Sequence, residues 1–105
     1  MASGHKGSSK PSGNTDTTLY TCAGNACVVN ISACNQHASN ADPVEIYVVA
    51  NGQSKADKYA IEKDTSLAAL NVIERTGIAM AVGDFIVVNS GNGTTSFNVW
   101  GVDLA

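Results

Sequence analysis

Apolar and polar residues alternate along most of this chain, and this period of two constrains the fold more than any other feature. Val44, Ile46 and Val48 fall on one side of such a segment, whereas Glu45 and Tyr47 fall on the other. Successive side chains of a β-strand point to opposite faces, so this pattern indicates strands with one buried face. The chain is therefore expected to be all-β.

Short segments rich in glycine, asparagine, aspartate and proline separate the alternating runs and supply the chemistry of turns. Strands separated by turns every roughly eight to twelve residues indicate an antiparallel sandwich or barrel. We predict a β-sandwich, of the jelly-roll or Ig-like type, with about seven or eight strands. The expected strands lie near residues 19–22, 26–34, 44–50, 58–62, 69–73, 78–81, 84–89 and 95–103.

One part of the chain has a helical alternative. Leu67, Leu70 and Glu74 recur at helical spacing, so a short helix is the competing interpretation there. The β-branched Val72 and Ile73 favour a strand, which is the prediction we keep.

The N-terminal segment has a different composition from the rest of the chain. Residues 1–18 are rich in glycine and serine and contain one large apolar residue, Met1, so they cannot form a core of their own. We predict a flexible N-terminal arm over residues 1–18 and a β-sandwich domain over residues 19–105. Lys6 and Lys10 would tether the arm to a neighbouring subunit; a disordered tail is the other interpretation.

Charge and composition exclude several classes of function. The formal net charge is -3 and only 14% of residues are charged, without a cluster of lysine and arginine, so a nucleic-acid partner is not expected. No apolar run approaches the roughly 20 residues that span a bilayer, and the N-terminus lacks the apolar stretch of a signal peptide. With two histidines and 6% aromatic residues, the chain is poorly supplied with residues for catalysis, and we predict a protein that is not an enzyme and has no cofactor.

Three cysteines and one histidine raise the question of zinc. Cys22, Cys27, Cys34 and His37 lie close together in the sequence, but the cysteines are not spaced as the paired knuckles of structural zinc sites. Cys27 and Cys34 also fall at opposite ends of one predicted strand. We therefore predict no metal site, and nothing supports Cys34 as a nucleophile beside His37.

A disulfide is the better-placed use of two of these cysteines. The four residues between Cys22 and Cys27 form a credible hairpin loop, which would bring the two sulfurs within bridging distance. Three small buried thiols are nevertheless the default interpretation, because a reducing cytoplasm would keep the pair reduced, and the disulfide is the alternative.

Three aromatic residues are candidates for an interface. Trp100 lies near the C-terminus and either packs at the edge of the sandwich or anchors a subunit contact. Tyr47 and Tyr59 would join Trp100 as a stacking platform if the domain were a carbohydrate- or receptor-binding tip.

Several short motifs resemble those of small virion proteins of tailed bacteriophages. The opening Leu19-Tyr20-Thr21-Cys22-Ala23-Gly24 is similar to the family's Leu-Tyr-Thr-x-Pro-Ala-Gly, with Cys22 in place of the proline. The hairpin Val82-Gly83-Asp84-Phe85-Ile86 is similar to Ala-Gly-Asp-x-Ile, and Trp100-Gly101-Val102-Asp103 is similar to the closing Ser-Gly-Val-Glu, with Trp100 in place of the serine. The resemblance covers residues 18–104 and none of the arm.

The resemblance implies a β-sandwich that serves as a structural building block and carries no catalytic residues. The expected function is a capsid decoration or cement subunit in the virion, assembled in the host cytoplasm. Its expected partners are further copies of itself, as a homotrimer, and other virion proteins such as the major capsid protein. A neck, tail or tail-fibre component, including a receptor- or carbohydrate-binding tip, is the alternative.

Overall fold

The computed structural model describes residues 2–104, and strands dominate it. Among these residues, the one helical element is a single 3-10 turn at Asp57–Tyr59. The strands are β1 (Ala2–Ser9), β2 (Thr17–Thr21), β3 (Ala26–Asn35), β4 (Asp42–Val49), β5 (Ala60–Leu67), β6 (Val72–Ala81), β7 (Phe85–Ser90) and β8 (Thr95–Leu104).

The strands form two four-stranded antiparallel sheets. Sheet A has the order β1-β8-β3-β6 and sheet B the order β2-β7-β4-β5. The pairing is nested: the first strand pairs with the last, the second with the seventh, the third with the sixth, and the fourth with the fifth. The fold is thus an all-β arrangement of two sheets, compatible with the predicted sandwich.

The core lies between the inner faces of the two sheets, where the alternating apolar residues meet. Burial of these side chains, at about 25 cal/mol per Å² of apolar surface, is the main source of stability. The fully or almost fully buried apolar residues of this core include Cys27, Val29, Ile31 and Ala33 from β3, Val44 and Ile46 from β4, Ile86 and Val88 from β7, and Phe97 and Val99 from β8.

The segment with a helical alternative is a strand preceded by a turn. Leu70 has a positive φ of 59° and the Asn71 N–H bonds to the Ala68 carbonyl, which turns the chain into β6. The two strands predicted near residues 69–73 and 78–81 are one strand, because a bulge at Gly77 (φ 68°) lets the chain continue. The Gly77 N–H donates to Asn30 Oδ1 across the bulge at 2.9 Å.

The predicted flexible arm is not confirmed, because half of it belongs to a sheet. Ala2–Ser9 forms β1, which pairs antiparallel with β8 from the Ala2–Asp103 pair to the Ser9–Phe97 pair. This strand is held by backbone pairing, for which no apolar side chain is needed, so the polar composition of the segment conceals it. Residues 10–16 connect β1 of sheet A to β2 of sheet B, and β2 contains the last two residues of the predicted arm, Thr17 and Thr18.

A substitution at Gly7 tests whether β1 is docked in solution. A Cβ at this position would lie 2.6 Å from the Leu19 carbonyl oxygen of β2, a backbone atom that cannot move aside. We expect Gly7→Ala to lower the free energy of unfolding by about 1–3 kcal/mol in urea denaturation. Ser8→Ala, at the exposed neighbouring position, is the matched control and should change it little. Equal stability of the two variants would show that β1 is a free arm.

Candidate interaction surface

The outer face of sheet A is open to solvent and largely apolar at one end. Cross-strand register aligns Leu104 with Ala26 and Ala81, and Val102 with Val28 and Ala79. Val28 and Leu104 are 42% and 39% exposed. We call these six residues the apolar end: Ala26, Val28, Ala79, Ala81, Val102 and Leu104.

The other end of the same face is mainly polar. Asn98 and Ser32 form one cross-strand row with Glu74, and Ser96 and Cys34 form the next with Val72, whose side chain is 52% exposed. The β3 and β8 residues of these rows are partly exposed, and Glu74 is exposed. The face therefore changes along its strands from apolar at one end to mainly polar at the other.

Few charges interrupt this face. Among its strand residues that the structure describes, His5 on β1 and Glu74 on β6 are the ones with an imidazole or carboxyl group. They stand on opposite edge strands of the sheet. Arg75, the neighbour of Glu74, lies on the other side of the strand, where its exposed side chain forms an ion pair with the buried Glu62.

Trp100 lies in the middle of this face. Its β8 position pairs with His5 on one side and Asn30 on the other, and its side chain is half-buried among them. The His5 Nε2 lies 3.2 Å from Asn98 Oδ1, which holds the imidazole on the same face. Of the three aromatic candidates, Trp100 is thus the one on the open face.

The two tyrosine candidates lie on sheet B, where they do not form an exposed platform. Tyr47 is completely buried, because the β4–β5 connection covers it together with Val49 and Val87. Its hydroxyl donates to Glu45 Oε1 at 2.6 Å. Burial and then this hydrogen bond raise the pKa of Tyr47. The expectation of a stacking platform fails for Tyr47, and Tyr59 is half-buried against the same small cluster.

Ionic contacts hold the β4–β5 connection over the outer face of sheet B. Lys55 Nζ lies 4.6 Å from the centre of the Tyr47 ring and donates to both carboxylate oxygens of Asp16 at 2.9–3.0 Å. The hydrogen bond from Lys55 lowers the pKa of Asp16. Lys63 bridges Glu45 and Asp57 from the other side. The outer face of sheet B is thus closed and charged, unlike that of sheet A.

The lysines predicted as tethers have different surroundings. Lys6 sits at a bulge in β1 and its Nζ lies 3.1 Å from Asp103 Oδ2, so it binds its own chain. Tyr20 donates its hydroxyl to the other oxygen of Asp103 at 2.6 Å, and these contacts lower the pKa of Asp103, Tyr20 first and Lys6 second. Lys10 is exposed beside an open depression of about 370 Å³ lined also by Ser9 and Phe97.

The cysteines and His37 are dispersed. Cys22 and Cys27 form a disulfide, with their Cα atoms 5.9 Å apart, that joins the end of β2 to the start of β3. Cys34 is a free thiol, part-exposed on the outer face of sheet A.

His37 Nδ1 accepts the N–H groups of Ser39 and Asn40, so the imidazole closes a turn. Across residues 2–104, no group of three or more histidine, cysteine, aspartate or glutamate side chains is placed to hold a metal ion.

A buried carboxylate organises the end of the sandwich at which the β7–β8 turn lies. Asp42 is fully buried and accepts hydrogen bonds from the Ser90 and Thr95 hydroxyls and from the Asn92 N–H. The Ser90 hydroxyl in turn accepts the N–H of Gly93. All these bonds stay within the chain, so the cluster anchors the β7–β8 turn and offers no atom to a ligand.

Comparison with known proteins adds no relative. No protein family, curated protein or solved structure gives a significant match to the chain. In the described part, residues 2–104, no helix is long and apolar enough to cross a membrane.

Acid should weaken the contacts of Asp103 with Tyr20 on β2 and with Lys6 on β1. The pKa of Asp103 is lower in the folded chain than its ordinary value, about 3.9. The Asp103 carboxylate therefore stabilises the fold fully at pH values above about 3.9, and this stabilisation is lost as the pH falls through the lower pKa of the folded chain. We expect the free-energy difference between wild type and Asp103→Asn to be constant above pH 5 and to shrink below about pH 4. Urea denaturation at pH values from 7 to 2 measures it. A difference that does not change with pH would show that Asp103 is not held as a carboxylate.

Reduction of the disulfide should destabilise the fold. A bridge that closes so short a loop contributes about 2 kcal/mol, so we expect a reductant to lower the free energy of unfolding of the wild type by that amount. The same reductant should have no effect on Cys22→Ser, which cannot form the bridge, and its full effect on Cys34→Ser. Urea denaturation with and without the reductant compares the three proteins. An unchanged wild type would mean that Cys22 and Cys27 are thiols.

Proposed function

We propose that this chain is a structural subunit of a virion: a capsid decoration or cement subunit that binds the assembled shell and other copies of itself. Such a subunit works through its surfaces and needs no catalytic residue. Its partners are the major capsid protein and its own copies, and its location is the virion.

The strand order supports a sandwich of the jelly-roll type, the finer fold that we propose with this function. In a jelly roll, a long antiparallel hairpin is rolled up, so that distant strands become neighbours; the fold recurs in viral capsid and lectin domains. The nested pairing of β1 with β8 through β4 with β5 has this form. The Ig-like alternative has several sequence-adjacent pairs within its sheets, whereas here β4 and β5 are the adjacent pair.

The observation that carries the proposal is the contrast between the two outer faces. The face of sheet A is open, sparsely charged and apolar at one end, whereas ionic contacts and the β4–β5 connection close the face of sheet B. An exposed, contiguous apolar patch with a polar margin is typical of a protein contact surface. The chain has few charged residues, and they are scarcest on the face where a neighbour would pack.

The binding-tip alternative has weaker support. A sugar-binding tip would present its aromatic rings together, but Tyr47 is buried on sheet B and Trp100 lies on sheet A. A neck or tail component would use the same kind of contact surface as a decoration subunit. The neck, tail and tip alternatives differ from a decoration subunit in the number of copies per particle.

Quantitative mass spectrometry of purified particles tests the proposal. Particles made from the genome that encodes this chain should contain it in a number comparable to that of the major capsid protein. A few copies per particle would indicate a neck, tail or tip component instead. Absence from particles whose other structural proteins are detected would overturn the virion function.

A further inference from the structure

We propose that the outer face of sheet A binds the same face of a second copy of the chain, with a two-fold axis parallel to the strands. This inference rests on the proposed function in one respect: it names the partner of the face described above. A two-fold contact gives a dimer, where the sequence led us to expect a trimer.

The size of the face fits a dimer contact. Four strands about 4.8 Å apart and ten residues long, at about 3.3 Å per residue, cover roughly 600 Å² in projection. A standard interface buries about 800 Å² of accessible surface per partner, and a corrugated sheet has more accessible than projected area. A flat sheet face can pack on another at about 10 Å, as the inner faces of a sandwich do.

The direction of the face selects the axis. Its apolar end, around Val28, Val102 and Leu104, must cover the apolar end of the second copy to remove the most apolar surface from water. A two-fold axis parallel to the strands keeps the two ends in register. It also places β8 of one copy over β3 of the other, so that Trp100 packs near the partner's β3 strand.

The same axis brings complementary groups together. It exchanges the two edges of the sheet, so β1 of one copy lies over β6 of the other. His5 is one cross-strand row away from the level of Glu74, a distance of about 7 Å along the strands. Each imidazole would then face the carboxylate of the other copy, and the pair would occur twice. A perpendicular axis would place His5 over β1, away from Glu74.

The outer face of sheet B and two of the four sheet edges are less suited to self-association. The outer face of sheet B is closed by Lys55, Lys63 and their carboxylate partners. The two edges opposite β1 and β2 are interrupted: β6 has its bulge at Gly77, and β5 has Asp64 at a positive φ of 48°. Such irregular, charged edges resist strand-to-strand pairing.

A matched pair of variants tests the face. Val28 is 42% exposed at the apolar end and Val82 is 52% exposed in the β6–β7 turn, outside the face. We expect the wild type and Val82→Glu to sediment as dimers at high micromolar concentration, and Val28→Glu to be a monomer with an unchanged far-UV spectrum. A wild type that is monomeric throughout, or a Val28→Glu variant that still dimerises, would overturn the proposal.

A charge exchange tests the axis. His5→Glu places two carboxylates opposite each other at both edges, and we expect it to weaken the dimer roughly ten-fold, as two surface pairs lost and two repulsions gained would do. Glu74→Lys added to His5→Glu should restore the dimer to near the wild-type dissociation constant. A double variant as weak as His5→Glu alone would overturn the proposed axis.

The free thiol reports on the same face in the unmodified chain. Cys34 is part-exposed on the outer face of sheet A, so its reaction with a thiol reagent should slow as the dimer forms with rising protein concentration. In Val28→Glu the rate should not depend on concentration. A rate that is also constant in the wild type would contradict coverage of this face.

The oligomeric state in solution and the abundance in particles together separate the proposed dimer from the proposed virion function. A chain that is monomeric in solution but abundant in particles overturns the dimer and leaves the virion function standing. A chain that dimerises through Val28 but is absent from particles overturns the virion function and leaves the dimer standing.

Discussion

The pairing of β3 with β8 is the contact on which the rest of the structure depends. All ten residues of β3 pair with β8 in one unbroken register, from Ala26–Leu104 to Asn35–Thr95. The inward residues of this pair include Val29, Ile31 and Phe97, which are completely buried. The β3–β8 pair therefore forms the centre of sheet A and contributes much of the apolar surface that sheet A buries in the core. The strands β1 and β6 pair with its two sides.

A consequence of this arrangement is that the two sheets play different parts. Sheet B buries its central strands on both sides, since Tyr47 and Val87 pack under the β4–β5 connection while Ile46 and Val88 face the core. Sheet A has no such cover, and its outward residues Val28 and Trp100 remain at least partly exposed. The sandwich thus has a closed side and an open side, and the proposed contacts with neighbours follow from the open one.

Polar anchors at the ends of the sandwich allow the connections to be short. Asp42 fixes the β7–β8 turn, and Asp84 accepts the N–H groups of Asn51 and Ala81 at the opposite end. The disulfide joins β2 to β3 where the chain passes from one sheet to the other. Because these groups find their partners within the chain, they stabilise turns and leave interaction with other molecules to the sheet faces.

The sequence determined the strands, because the side-chain period of two is a local property that residues such as Val44, Ile46 and Val48 display directly. It also placed Cys22 and Cys27 on either side of a turn, where a bridge is one of two outcomes. It did not reveal β1, since a strand held by its backbone leaves no apolar pattern, nor the burial of Tyr47, which comes from a connection folding back over the sheet. Only the tertiary structure decided which outward residues are covered. Alternation assigns a side chain to a face, and whether that face meets solvent depends on distant segments of the chain.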